Sequence, residues 1–140
     1  MSNLLRVTAE IASLDDVYRV MRGELEEKEA RKVIVHDALV DTGATALSMP
    51  SRFIKELGLF PIRSRQAITP NGIRTVAVYG AVRLTVQGRD CVCDVTEIAD
   101  ECPVLIGQVP LELLDFLVDP GRQRLIGNPS HNGEQMIEIL

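Results

Sequence analysis

The segment Leu39-Val40-Asp41-Thr42-Gly43-Ala44 runs from an apolar stretch directly into an aspartate and a tight turn. A carboxylate at the end of an apolar strand is held rigidly and is partly shielded from water. Thr42 can form a hydrogen bond that fixes the turn, and Gly43 lets the backbone come close to a ligand or to another backbone. The segment therefore predicts that Asp41 is presented on a small, stiff loop.

Strand signals dominate the rest of the chain. Apolar and β-branched residues alternate with polar ones or form short runs, which is typical of strands. Asn71-Gly72 lies between two extended runs and predicts a hairpin with a type I′ turn, in which both central residues have positive φ. The predicted strands are 5–12, 33–35, 38–40, 67–68, 73–79, 82–86, 91–95, 104–106, 116–119, 124–126 and 136–140.

Three short helices are predicted between the strands. One begins after Ser13, a good N-cap, and ends near Gly23; the next begins at Pro50 or Ser51 and ends at Gly58. The third runs from Pro110 to about residue 115. The charged run 24–32 reads as an exposed connection. Trp is absent and aromatic residues make up 4%, so we expect a core of Val, Leu and Ile in one mostly β domain.

Three features occur in an order that resembles the retroviral-type aspartic proteases, and more closely the single-domain bacterial proteins of that class. Residues 39–44 resemble the catalytic loop, and Leu105-Ile106-Gly107 resembles the downstream segment that packs around it and precedes a helix. The hairpin at Asn71-Gly72 lies between them, where the family has its flap. The resemblance implies a closed acid-protease barrel over 33–140, with a flap hairpin and two or three short helices. Residues 1–32 are then an N-terminal extension packed on the same domain.

Peptide hydrolysis by aspartates needs two carboxyl groups. One accepts a proton from water while the other, kept protonated by its neighbour, donates a proton. Asp-Thr-Gly occurs once in this chain, and Asp-Ser-Gly does not occur. A two-fold homodimer that brings Asp41 against Asp41 of a second copy is the economical solution. The predicted function is a homodimeric aspartic endopeptidase that acts on extended peptide or protein substrates.

The resemblance assigns roles to individual residues. Asp41 is the catalytic acid and base, and Thr42 locks the loop of one chain to that of the other. Leu105, Ile106 and Gly107 support the catalytic loop. The predicted substrate-binding residues are Gly43, Ala44, Thr45, Asn71, Gly72 and Ile73.

Two positions depart from the retroviral pattern. Thr45 stands where the family usually has Asp, and Gln108 stands where it usually has Arg. Those two side chains form an ion pair in the family. Both are neutral here, so the pair is replaced as a unit, and we expect this to avoid a buried unpaired charge.

Charge and cysteine content argue against other classes of function. The net charge is −5 and no basic cluster interleaves with aromatic residues, so nucleic acid is not an expected partner. No stretch is long and apolar enough for a membrane span, and the N-terminus lacks signal-peptide character, so a cytoplasmic location is expected. The three cysteines predict neither a disulfide framework nor a metal site, and no cofactor is expected.

Other interpretations of the sequence remain open. The chain could be a non-catalytic dimeric module that binds peptides or assembles complexes and keeps the acid-protease fold. Asp41 could simply form a turn, because Asp-Thr-Gly is good turn chemistry. A metal-binding protein built on Cys91, Cys93 and Cys102 is disfavoured.

Overall fold

Nine strands and three helices make up the structure, a computed structural model that describes residues 5–139. The strands are β1 (Leu5–Ser13), β2 (Lys32–Val40), β3 (Leu47–Pro50), β4 (Phe60–Thr69), β5 (Gly72–Val86), β6 (Arg89–Ile98), β7 (Leu105–Ile106), β8 (Phe116–Asp119) and β9 (Arg124–Gly127). The helices are α1 (Leu14–Met21), α2 (Ser51–Leu57) and α3 (Gln108–Leu114). The mostly β fold with short helices is confirmed.

The main sheet closes on itself. Its strand order is β1-β2-β7-β3-β6-β5-β4, and β1 also pairs with β5, so six strands form a ring and β4 continues outward from β5. Within the six-stranded ring, closure removes the free edges that an open sheet would expose, and β4 is the one strand of this sheet in residues 5–139 that has a partner on only one side. The barrel predicted from the family resemblance is therefore confirmed. β8 and β9 form a separate two-stranded hairpin, as the pattern around Pro120-Gly121 predicts.

Aliphatic side chains fill the ring, as the composition predicts. The largest fully buried apolar residues are Ile11, Leu47, Met49, Leu57, Leu84, Ile106, Leu114, Val82, Val86, Val95 and Val104. Cys91 joins this cluster, with Cys93 packed against it on the same face of β6. Among residues 5–139, no helix is both long and apolar enough to span a bilayer.

The N-terminal segment is part of the sheet. Glu10 to Ser13 pair with β5, while the length of β1 pairs antiparallel with β2. The Ser13 hydroxyl accepts a hydrogen bond from the backbone N–H of Asp16 at 3.3 Å, which confirms the predicted N-cap of α1. The division into an extension (1–32) and a protease domain (33–140) stays a prediction.

An ion pair that the sequence did not reveal fixes the connection from α1 to β2. Arg31 donates through Nε and Nη2 to the two carboxylate oxygens of Asp16 at 2.8 and 3.0 Å, and its backbone N–H donates to the same carboxylate at 2.8 Å. Arg31 lies at the end of the run 24–32, most of which is exposed, as expected. The hydrogen bonds from Arg31 hold the pKa of Asp16 below its usual value.

The two tight turns of the sheet differ from each other in backbone geometry. The segment around Asn71-Gly72 does form a hairpin, but the predicted type I′ turn is wrong. Thr69 pairs with Gly72, so the two central residues of the turn are Pro70 and Asn71. Neither central residue has positive φ, whereas the following Gly72 has φ 102°. Proline fixes φ near −65°, so it cannot occupy the first central position of a type I′ turn. The β5–β6 turn has positive φ at both Gln87 and Gly88.

The C-terminal segment is not the strand that the alternation over 136–140 predicts. Residues 135–139 have no regular secondary structure, and residue 140 lies outside the described part of the chain. The backbone N–H of Met136 instead donates to Asp115 Oδ2 at 3.1 Å, and Gln135 donates to backbone carbonyls of Asp90 and Leu113. These contacts with the Asp115 side chain and with the backbone of β6 and α3 replace sheet pairing.

His131 adds an electrostatic contact between the C-terminal segment and Asp115. Its Nδ1 lies 2.6 Å from Asp115 Oδ2 and its Nε2 lies 3.5 Å from a carboxylate oxygen of Glu138. The bond to Asp115, assisted by Glu138 and opposed by burial, raises the pKa of His131. The bond to His131 is likewise the main cause that lowers the pKa of Asp115.

The Asp16–Arg31 pair predicts a stability difference between two neighbouring aspartates. Asp16→Asn should lower the free energy of unfolding by about 2 kcal/mol, because it removes the charge-assisted bonds of a buried carboxylate. Asp15→Asn, a control with an exposed side chain in the same helical turn, should change it by less than about 0.5 kcal/mol. Urea unfolding at neutral pH measures both, and equal losses would refute the assignment.

The Asp115–His131 pair predicts a pH dependence of stability. Because the folded-state pKa of His131 is raised, its contribution is complete below the unfolded value of about 6.5 and is lost as pH rises through the folded pKa. The folded-state pKa of Asp115 is lowered, so the contribution of Asp115 to stability is complete above its unfolded pKa of about 3.9. This contribution is lost as pH falls through the folded-state pKa. The pair therefore stabilises most between about pH 4 and pH 6.5.

His131→Gln should flatten the loss of stability as pH rises above about 6.5, measured as unfolding midpoints in urea. His36→Gln is the matched control, since His36 has an exposed side chain on β2. An unchanged pH profile in the His131 variant would show that the pair does not couple protonation to folding.

Candidate active site

Asp41 follows β2 directly and is fixed by the strand beside it. Leu39 and Val40 pair in parallel with Leu105 and Ile106 of β7. The backbone N–H of Asp41 then donates to the carbonyl of Ile106 at 3.0 Å. The two apolar segments singled out in the sequence are therefore adjacent, and β7 sets the position at which Asp41 leaves the barrel.

The loop also folds back on Asp41. The backbone N–H of Ala44 donates to the Asp41 carbonyl at 3.1 Å, and the N–H of Gly43 donates to Asp41 Oδ1 at 3.0 Å. In the part of the chain that the structure describes, Oδ2 has no hydrogen-bond partner. One carboxylate oxygen is thus held by the loop, and the other is available to a water molecule or a second carboxyl group.

Three further backbone bonds tie the loop to the start of α3. Gly107 donates to the carbonyl of Ala46 at 3.1 Å, Gln108 donates to that of Ala44 at 2.8 Å, and Val109 donates to that of Thr45 at 2.9 Å. Backbone bonds do not depend on side-chain rotamers, so they keep the loop in place at little entropic cost. The loop is held on both sides, by β7 and by α3.

Gly107 makes this contact possible because it has no side chain. A Cβ atom at this position would lie 2.6 Å from the carbonyl oxygen of Ala46 and 2.7 Å from that of Ala44. Both neighbours are backbone atoms of the loop 41–46, so they cannot rotate away as a side chain could. Glycine is required here because the backbone of the loop lies so close to Gly107. Its φ of −88° would be accessible to any residue.

The remaining loop residues face outward. Thr42, Gly43 and Thr45 are exposed, and Ala44 is partly buried. Gln108 is exposed as well. A charge at Thr45 or at Gln108 would therefore be solvated in the single chain, and the neutral pair is not needed there to avoid a buried charge.

The hairpin tip stands apart from the loop. Asn71, Gly72 and Ile73 are all exposed, and the tip is closed locally by Thr69, whose hydroxyl donates to the carbonyl of Gly72 at 2.7 Å and accepts from the N–H of Asn71 at 3.1 Å. No hydrogen bond joins the tip to the loop 41–46 among the residues described. In one chain the structure thus brings together residues 39–46 and 104–109, but not the hairpin tip.

Part of what holds Asp41 leaves no signal in the sequence. Ala46 and Val109 contribute through backbone atoms, and Val104 accepts from the N–H of Leu39 at 2.8 Å. Backbone contacts leave no side-chain pattern, so only Gly107, which clears the space, carries a sequence signal for them.

Comparison with known families agrees with this arrangement. A family model described as aspartyl protease matches residues 30–109, which is more than half of the chain. The matched range begins before β2, contains the loop and the hairpin, and ends in the first turn of α3. No curated protein sequence matches the chain.

The close approach at Gly107 predicts a large effect of one methyl group. Gly107→Ala should lower the free energy of unfolding by about 2–3 kcal/mol or displace the loop, because the new Cβ overlaps two carbonyl oxygens. Gly121→Ala is the control, since its Cβ would meet Asp119 at an ordinary 3.5 Å. Thermal unfolding and the amide NMR shifts of residues 41–46 are the measurements. Equal, small effects in both variants would contradict the packing.

Proposed function

Because the chain belongs to the aspartyl protease family, we propose that it is a homodimeric aspartic endopeptidase whose single active site contains Asp41 from each of two chains. The observation that carries the proposal is the loop itself. Asp41 directly follows β2, its position is fixed by backbone hydrogen bonds, and its Oδ2 has no partner among residues 5–139. This is the arrangement that a preorganised catalytic carboxylate needs.

The chemistry follows from two carboxyl groups at close range. They cannot both ionise easily, so the pair holds one proton. The ionised carboxylate removes a proton from a water molecule, and the water oxygen attacks the peptide carbonyl. The protonated carboxyl group donates its proton to the carbonyl oxygen. The carboxyl group that took the proton from water then passes it to the nitrogen, the C–N bond breaks, and the amine leaves. The other carboxylate takes a proton back from a hydroxyl group of the collapsing intermediate, which becomes the new carboxyl product, so the pair again holds one proton.

The requirement for a second chain comes from the sequence. A two-fold axis next to the loop would place the two Asp41 side chains opposite each other, since such an interface uses the same surface of both chains. Thr42 is exposed at the end of this loop. Its hydroxyl is therefore available to bond the loop of the partner, as the family resemblance suggests.

An extended peptide is the substrate class that this geometry favours. Gly43, Ala44 and Thr45 form the loop edge next to Asp41, and the exposed tip at Asn71, Gly72 and Ile73 would lie over the peptide as a flap. Extended peptides are recognised through their backbone by such edges and hairpins. The cytoplasmic location stays a prediction.

Substitution of the catalytic aspartate separates catalysis from folding. Asp41→Asn should lower peptidase activity at least about a thousandfold, because an amide cannot accept the proton of water. Its melting temperature and its dimerisation by analytical ultracentrifugation should be preserved. Asp37→Asn, the same change at an exposed position of the same strand, should keep full activity. Full activity in the Asp41 variant would remove the mechanism.

Binding of pepstatin A separates a protease from a non-catalytic module with the same fold. An active pair of Asp41 residues should bind this transition-state mimic, and Asp41→Asn should abolish the binding in calorimetry. Peptide binding that persists without cleavage and without pepstatin affinity would instead support the binding module.

A further inference from the structure

The β4–β5 hairpin differs in charge from the rest of the protein. Residues 60–80 contain three arginines, Arg63, Arg65 and Arg74, and neither aspartate nor glutamate. The whole chain has a formal net charge of −5. A projecting hairpin that carries only positive charge is therefore exceptional in this molecule.

The strand register places all three arginines on one face of the hairpin. Residues directly opposite each other across a ladder share a face, and side chains alternate along a strand. Arg63 pairs with Val78, Arg65 with Val76, and Arg74 with Ala67. We call the face formed by these residues the arginine face.

The arginine face is buried at its base, where Val78 is 3% exposed, and opens to solvent toward the tip of the hairpin, where Arg65 and Arg74 are exposed. Tyr79, which packs against the core, alternates with Val78 and so lies on the other face of β5. That other face also carries Thr75, whose hydroxyl donates to the Gln66 side chain at 2.9 Å. At the tip of the hairpin it carries the exposed pair Ile68 and Ile73. The hairpin thus has a neutral face with an apolar tip and a basic face.

Two of the arginines have no acidic partner. Arg63 is bound to Asp94, with Nη1 3.0 Å from Oδ2. Arg65 and Arg74 form no ion pair with any residue in 5–139, and Arg74 contacts only the backbone carbonyl of Ile73, at 3.2 Å. Both side chains are exposed. Two guanidinium groups on this face therefore remain open to a ligand.

We propose that the arginine face binds an acidic, extended segment of a protein substrate, at a place separate from the bond that is cleaved. Arg65 and Arg74 are diagonal neighbours on one face, a relation in which residues lie about 7–8 Å apart. Alternate side chains of an extended chain are about 7 Å apart, so two carboxylates separated by one residue match this spacing. Guanidinium groups bind carboxylates in a bidentate fork, which favours glutamate and aspartate over neutral residues.

This surface fits an acidic polypeptide better than a nucleic acid. The arginine face offers two open cations and has no aromatic side chain for base stacking, and the acidic protein as a whole repels a phosphate backbone. The proposal goes beyond the peptidase function, since binding at this face does not require Asp41.

Fluorescence anisotropy with the full-length Asp41→Asn variant tests the proposal without cleavage. The probe is a labelled peptide in which glutamate alternates with serine, and the reference peptide has glutamine in place of every glutamate. The glutamate peptide should bind more tightly, and its affinity should fall as sodium chloride is raised, because exposed charges are screened. Added Arg65→Gln/Arg74→Gln substitutions should weaken binding about fivefold.

Two control proteins make the result specific. Arg122→Gln/Arg124→Gln removes the same charge from the β8–β9 hairpin and should leave the affinity unchanged. Arg65→Lys/Arg74→Lys keeps the charge without the fork and should bind with intermediate affinity. Equal affinity for the two peptides, equal loss in both glutamine double variants, or tighter binding of labelled oligothymidine would overturn the proposal. A failure here leaves the peptidase function intact, because Asp41-dependent cleavage is measured separately.

Discussion

The backbone hydrogen bonds between the Asp41 loop and the segment 106–109 are the interaction on which the rest of the site depends. They join the end of β2, the short strand β7 and the first turn of α3 at a point where only glycine fits. The ring of strands supplies the frame that holds these segments in register. A carboxylate fixed in this way needs no reorganisation when it reacts, which is the physical advantage of a rigid loop.

The two faces of the β4–β5 hairpin differ in charge and polarity. One face is neutral and carries two exposed isoleucines at the tip, which suits contact with a peptide or with a second hairpin. The other face carries the arginines. Under the two proposals, this two-stranded element would cover the substrate with one side and bind a charged segment with the other, because alternation along a strand separates the two sets of side chains.

Most of the fold could be predicted because its signals are local. Ser13, Gly58 and Pro50-Ser51 mark helix ends through their own backbone preferences, and each prediction is confirmed. The type I′ turn predicted at Asn71-Gly72 is wrong because the strand register makes Pro70 and Asn71 the central residues, and proline cannot adopt positive φ. The final strand was wrong because tertiary contacts of Asp115 with Met136 and His131 outweigh the alternation of apolar residues. The Asp16–Arg31 pair, separated by fifteen positions, has no local signature.

The central claim is that each active site requires one Asp41 from each of two chains. The most direct measurement keeps the wild-type concentration constant, adds one equivalent of the Asp41→Asn chain, and allows subunits to exchange before activity is measured. Because half of the wild-type chains then pair with an inert partner, activity should fall to about half, and further for larger excesses. Activity that stays constant as the inert chain is added would contradict the account.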